Sequence, residues 1–154
     1  MEMAQLVSTW ASCYQEERKV GAVIVKDKRV MTTGYNGAPR GRKNCCELGY
    51  CMRNKLQIPR GERYELCRSV HAEANAIIAA PRDQMLGATV YLVCIDAVSG
   101  NLEAGTNSCM MCKRQIINAG IETVIVRDTA ETYREIRVQD WIDNDDSLSG
   151  VFGY

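Results

Sequence analysis

Three side chains that can hold a metal stand far apart in this sequence, and any fold must bring them together. His71 is the sole histidine of 154 residues and lies in His71-Ala72-Glu73; a thiol pair follows later as Cys109-Met110-Met111-Cys112. One imidazole and two thiolates fill three corners of a tetrahedral zinc site and leave the fourth for water. Glu73 is suited to moving protons on that water rather than to binding the ion. Both segments read as helix starts, so the starts of two helices must meet at one edge of a sheet. A helix start stabilises thiolates through its partial positive charge and its free N–H groups. Cys-x-x-Cys also serves as a redox pair, but the thioredoxin-like pair follows a first strand and lacks a partner histidine.

The rest of the pattern supplies such a sheet. Met3, Leu6, Val7, Trp10, Ala11 and Tyr14 recur at helical spacing and predict an amphipathic first helix with Trp10 in the core. Residues 20–25 read as a buried strand, Lys26-Asp27-Lys28 as a turn, and 29–35 as a second strand, together a hairpin. Residues 36–41 read as a loop with glycines at positive φ. Residues 42–70 are irregular and cysteine-rich. A helix is expected over 72–80, stopped by Pro81; then a strand over 88–95, a polar loop over 96–108, and a helix over 109–119 closed by Gly120. Strands over 121–126 and 133–138 complete the order. This predicts one α/β domain spanning 1–154 in three layers. Its mixed central sheet has four to five strands with helices on both faces, the insert at about 42–70 and an acidic tail at about 128–154.

Nineteen Lys and Arg balance nineteen Asp and Glu, which argues against a protein that coats nucleic acid through bulk charge. The balance hides a basic stretch: Arg40, Arg42, Lys43, Arg53, Lys55, Arg60, Arg63 and Arg68 stand against three glutamates. Such a local excess suits a small anionic ligand better than a polymer, and a solvated basic loop equally well. The first residues show no basic-then-apolar leader, and no apolar run reaches membrane-spanning length, so a cytoplasmic chain without membrane contact is expected. Eight cysteines in that setting point to metal rather than to disulfides.

Taken together, the motifs resemble the cytidine and deoxycytidylate deaminase superfamily, whose signature is His-x-Glu followed by Cys-x-x-Cys. His71 to Ile77 is similar to the family's helix motif, and Val20-Gly21-Ala22-Val23 with Gly34-Tyr35-Asn36-Gly37-Ala38-Pro39 resembles the deoxycytidylate (dCMP) deaminases in particular. The family has proline before the first cysteine; Ser108 stands here, and serine, a strong N-cap, should preserve the helix start. The resemblance implies a cytidine-deaminase-like fold and hydrolysis of dCMP to dUMP and ammonia for thymidylate synthesis. Zinc would be held by His71, Cys109 and Cys112, with Glu73 passing protons from water to the ring nitrogen and the leaving amine. It implies that Asn36 bonds the sugar or phosphate and that Ala72 offers its backbone to the base. Asn36 also suits a turn. Arg18, Lys19 and Arg127 are candidates for the phosphate, and equally for plain surface charge.

The resemblance implies a second, structural zinc as well. Cys13, Cys46, Cys51 and Cys67 would hold it, with Cys45 competing with Cys46 and free thiols as the alternative. The insert has few apolar side chains, and a metal would supply order there. Cys94 reads as core. A homo-oligomer, hexamer or dimer, with dCTP and dTTP as effectors is implied, and no polymeric nucleic acid. The competing readings are a deaminase of another small substrate (cytidine, a pterin-like base or a riboflavin-pathway pyrimidine) and a non-catalytic zinc module linked to DNA uptake. An intact Glu73 argues against the last, because a structural site needs no base.

Overall fold

A computed structural model describes residues 1–13, 18–59 and 61–148. Helix α1 (Glu2–Ser8) leads into strands β1 (Arg18–Lys26) and β2 (Arg29–Tyr35). The insert holds two short helices, α2 (Cys45–Leu48) and α3 (Met52–Lys55), and a 3₁₀ turn at Tyr64–Leu66. Then come α4 (Ala72–Ile78), α5 (Arg82–Met85), β3 (Thr89–Asp96), α6 (Met110–Ala119), β4 (Thr123–Arg127), β5 (Tyr133–Arg137) and α7 (Val138–Asp143). The sheet has five strands in the order β2-β1-β3-β4-β5, and only β3 and β4 pair in parallel.

The hairpin closes on Asp27 and Lys28, at φ of 50° and 62°, the left-handed pair that a tight two-residue turn requires. Along β1 and β3 the side chains alternate between faces. Ala22, Ile24, Val90 and Leu92 meet Ala72, Ala76 and Ile116 on one side. Val23, Val93 and Ile95 meet Ala4 and Val7 of α1 on the other. Helices therefore cover both faces, as the element order predicts.

Small residues set the position of α4. A Cβ at Gly34 would strike the backbone of Ala72 and Ala76, so only glycine lets α4 lie this close to β2. Thr32 Oγ1 donates to the Ala76 carbonyl at 2.8 Å, and Asn75 Nδ2 donates to Tyr35 O at 2.8 Å. The loop after β2 is tied to the residue before His71 by two bonds between Gly37 and Val70, at 3.1 and 2.8 Å.

Several expectations need correction. The first helix ends at Ser8, where Ser8 and Thr9 hydroxyls bond carbonyls three residues back and compete with its continuation. Its buried positions are Ala4, Val7 and Ser8; Met3, Leu6 and Trp10 are exposed, Trp10 at 56%. Trp10 is thus not core: it stands edge-on to Tyr35 with ring centres 6.1 Å apart. Tyr14 lies outside the described residues. In the loop after β2, Gly41 takes positive φ, whereas Gly37 serves the Val70 bridge instead. Helices α5 and α7 were not expected: Pro81 stops one helix and caps the next, and the fifth strand runs straight into α7.

Candidate active site

Two helix starts meet, as the ligand spacing requires. His71 is the N-cap of α4 and Cys109 the N-cap of α6, both in extended backbone. Ser108 does not cap α6; Cys109 does, its Sγ accepting from Cys112 N at 3.4 Å, while Ser108 is fully buried one residue earlier. His71 Nδ1 lies 3.3 Å from Cys109 Sγ and 3.4 Å from Cys112 Sγ. Among the described residues this is the one cluster of three or more candidate ligands whose donor atoms all lie within 4.8 Å of one another.

The electrostatics suit a cation. A hydrogen bond from Cys112, aided by His71, draws the Cys109 thiol down to about 4 against the opposing effect of burial. The same bond and burial push the Cys112 thiol up. Burial lowers the His71 pKa, but the bond to Cys109 and its charge outweigh that and leave it raised. Glu73, 5% exposed in the first turn of α4, has its carboxyl raised by burial, with His71 opposing. One nitrogen and two sulfurs at a cleft match the donor set of a catalytic zinc, and the Glu73 carboxyl lies beside them.

The cleft measures about 410 Å³, in the range of small-molecule sites, and His71, Ala72, Glu73, Cys109, Asn36 and Arg18 all line it. Asn36 is heavily engaged: Oδ1 accepts from Val20 N at 2.8 Å, and Nδ2 donates to Arg18 O at 2.8 Å and Cys13 Sγ at 2.9 Å. One acceptor position on Oδ1 remains for a ligand hydroxyl. Arg18 is ion-paired with Glu103. Lys19 and Arg127 do not line the cleft. The Arg127 guanidinium is spent on Gln5 Oε1 at 2.9 Å and the carbonyls of Thr129 and Ala130.

Of the cysteines offered for a second metal, Cys13 and Cys67 line the cleft, and the set is less tightly gathered. Cys45 and Cys51 are buried, Cys13 and Cys67 half-buried, and Cys46 exposed with its thiol donating to Cys13 O at 2.8 Å. Burial first, then the proximity of Cys67 and Cys45, holds the Cys13 thiol up at about 12. No three of these thiols lie within 4.8 Å of one another among the described residues. Cys94 is fully buried in β3, as expected of core, and also floors the cleft.

Two cleft residues escaped the sequence reading. Tyr64 stands edge-on to His71 with ring centres 5.0 Å apart, and the Arg53 guanidinium lies 4.6 Å over the Tyr64 ring. Neither belongs to a spaced motif. Arg53 was one of eight basic residues in the stretch, and nothing in the sequence separated it from the solvated ones.

Fold and site together match the zinc-binding region of one protein family. The chain belongs to the cytidine and deoxycytidylate deaminase family, whose zinc-binding region matches residues 1–128. It is 37% identical to the deoxycytidylate deaminase of Schizosaccharomyces pombe over 81% of this chain and 34% of that protein, so it spans about a third of that relative's length. It is 38% identical to the deoxycytidylate deaminase of Mycobacterium phage D29, over 71% of this chain and 78% of that protein. Its fold is similar to that of the dCMP deaminase of cyanophage S-TIM5, solved with dCMP and dUMP: TM-score 0.55, 24% identity, 99% of this chain and 90% of that chain.

Proposed function

We propose that this protein deaminates dCMP hydrolytically, giving dUMP for thymidylate synthesis and releasing ammonia. The observation that carries the reading is His71 Nδ1 within 3.4 Å of two thiols at a cleft, with Glu73 buried beside them. His71, Cys109 and Cys112 would hold a zinc ion, which would supply a Lewis acid to acidify a water. Glu73 takes the proton of that water as its oxygen adds to C4 of the cytosine. It passes that proton to N3, then moves the remaining proton of the added hydroxyl to the amine, so the C4–N bond breaks, C4 becomes a carbonyl and ammonia leaves. Burial raises the Glu73 carboxyl above its ordinary range, which suits a group that must receive a proton and return it. Ala72 lines the base end of the cleft, and the spare acceptor of Asn36 takes a sugar hydroxyl. The test is Glu73→Gln: the variant keeps its zinc and loses about 10²–10⁴-fold in kcat. Full activity in that variant overturns the mechanism.

A second, structural zinc is part of the proposal. Burial and mutual electrostatic coupling of Cys13, Cys45, Cys51 and Cys67 support that set, with Cys45 in place of the exposed Cys46. Closing those thiols around an ion requires them to draw together, as metal binding coupled to folding of an insert does. We also propose a cytoplasmic homo-oligomer under dCTP and dTTP control. The exposed apolar row Met3, Leu6 and Trp10 supports self-association. No helix among the described residues is long and apolar enough to cross a membrane.

A further inference from the structure

Among the described residues of the basic stretch, Arg53 is the one that is buried while lining the cleft. It is 8% exposed, and burying a guanidinium without a counter-charge is costly. Its surroundings fix it without neutralising it. Nη2 donates to Pro59 O at 2.6 Å, and the guanidinium plane is covered by the Tyr64 ring at 4.6 Å. Nε is buried with no hydrogen-bond partner, and no carboxylate among the described residues pairs with the side chain. The other arginine on the cleft, Arg18, differs on this point, since Glu103 already balances it. A cation held rigidly in a cleft wall, with unused donors and no anion, is built to receive one from outside.

The distance fits a nucleotide. Tyr64 separates Arg53 from the metal end, packing on His71 at 5.0 Å on one edge and under Arg53 at 4.6 Å on its face. The guanidinium is therefore one aromatic ring removed from the reacting end of the cleft, where a group at the far end of the sugar would lie. We propose that Arg53 binds the 5′-phosphate of the substrate and sets the preference for a nucleotide over its nucleoside. This rests on the deaminase reading for the identity of the base, but not for the anion.

The experiment compares wild type, Arg53→Gln, Arg53→Lys and Arg18→Gln, all zinc-loaded. Ammonia release is measured with dCMP and with deoxycytidine, and calorimetric binding with the same two ligands. Arg53→Gln is expected to raise KM and Kd for dCMP about 10–100-fold, the loss of a charge-assisted bond, with little change in kcat. Deoxycytidine parameters should be unmoved, and Arg53→Lys should fall between. Arg53 also holds Pro59 and Tyr64, so a collapsed insert must be told from a lost phosphate contact. Collapse would impair both ligands alike in Arg53→Gln and Arg53→Lys, and that pattern overturns the proposal. It is overturned too if dCMP binding is unchanged in Arg53→Gln, if only Arg18→Gln loses the discrimination, or if wild type binds the two ligands equally or not at all. Should wild type release no ammonia from either ligand, the deaminase reading falls while the binding contrast still decides Arg53.

Discussion

Each ligand here is useful because of its place at a helix start. His71 and Cys109 both occupy N-cap positions, so their side chains leave the helices toward the same space while the backbone enters each helix. On the proposed ligand set, removing His71 should therefore remove the catalytic ion without touching the insert thiols. Metal analysis of His71→Ala should show one zinc per chain fewer than wild type; an unchanged ratio would mean that His71 binds no metal. The same logic separates the competing insert cysteines. Cys45→Ser should lose the structural ion and Cys46→Ser should keep it, read as metal content and thermal stability. The reverse result would restore Cys46.

Elements matter here for how close they come. Helix α4 reaches the sheet because Gly34 presents no side chain to it, and Ala72 and Ala76 present the smallest ones. Gly34→Ala forces that helix outward and should cost about 1–3 kcal/mol of stability by overpacking, with activity falling as His71 and Glu73 are displaced. A thermal melt and an ammonia assay check both; a variant with wild-type stability would show that the contact yields freely. At the end of β4, Arg134 donates to Asp128 at 2.6 and 3.0 Å and holds its carboxyl below the ordinary aspartate range. A lowered folded pKa means stability that is present above the unfolded value and lost as pH falls through the folded one. The pair is partly exposed, so Asp128→Asn should cost no more than about 1 kcal/mol near neutrality. The gap between variant and wild type should close as pH drops below 3.8, and a gap that stays constant there would refute the coupling.

The molecule as a whole was legible to different depths in different places. The strand-and-helix order and the meeting of His71 with Cys109 and Cys112 could be read because β-branched runs, a capping glycine and ligand spacing each carry local physics. The first helix was misread because Met3, Leu6 and Trp10 keep helical spacing on a face that stays exposed, and spacing alone does not say which face the sheet covers. Helix α7 escaped because a strand passes into it without a turn residue. Arg53 escaped because burial of one arginine among eight basic residues is a tertiary fact. Of the phosphate candidates read from the sequence, Lys19 and Arg127 do not line the cleft and Arg18 is paired with Glu103, whereas Arg53, which was not among them, has no carboxylate partner among the described residues.

The central claim is that this cleft removes ammonia from dCMP through Glu73. It is tested most directly by ammonia release from the zinc-loaded protein offered dCMP, CMP, deoxycytidine, cytosine and dCTP, with Glu73→Gln run in parallel. The expected result is turnover of dCMP above the other four and a kcat about 10²–10⁴-fold lower in the zinc-replete Glu73→Gln protein. Preference for another of the five would replace the substrate, and release of no ammonia from any of them, or undiminished release by Glu73→Gln, would contradict the account.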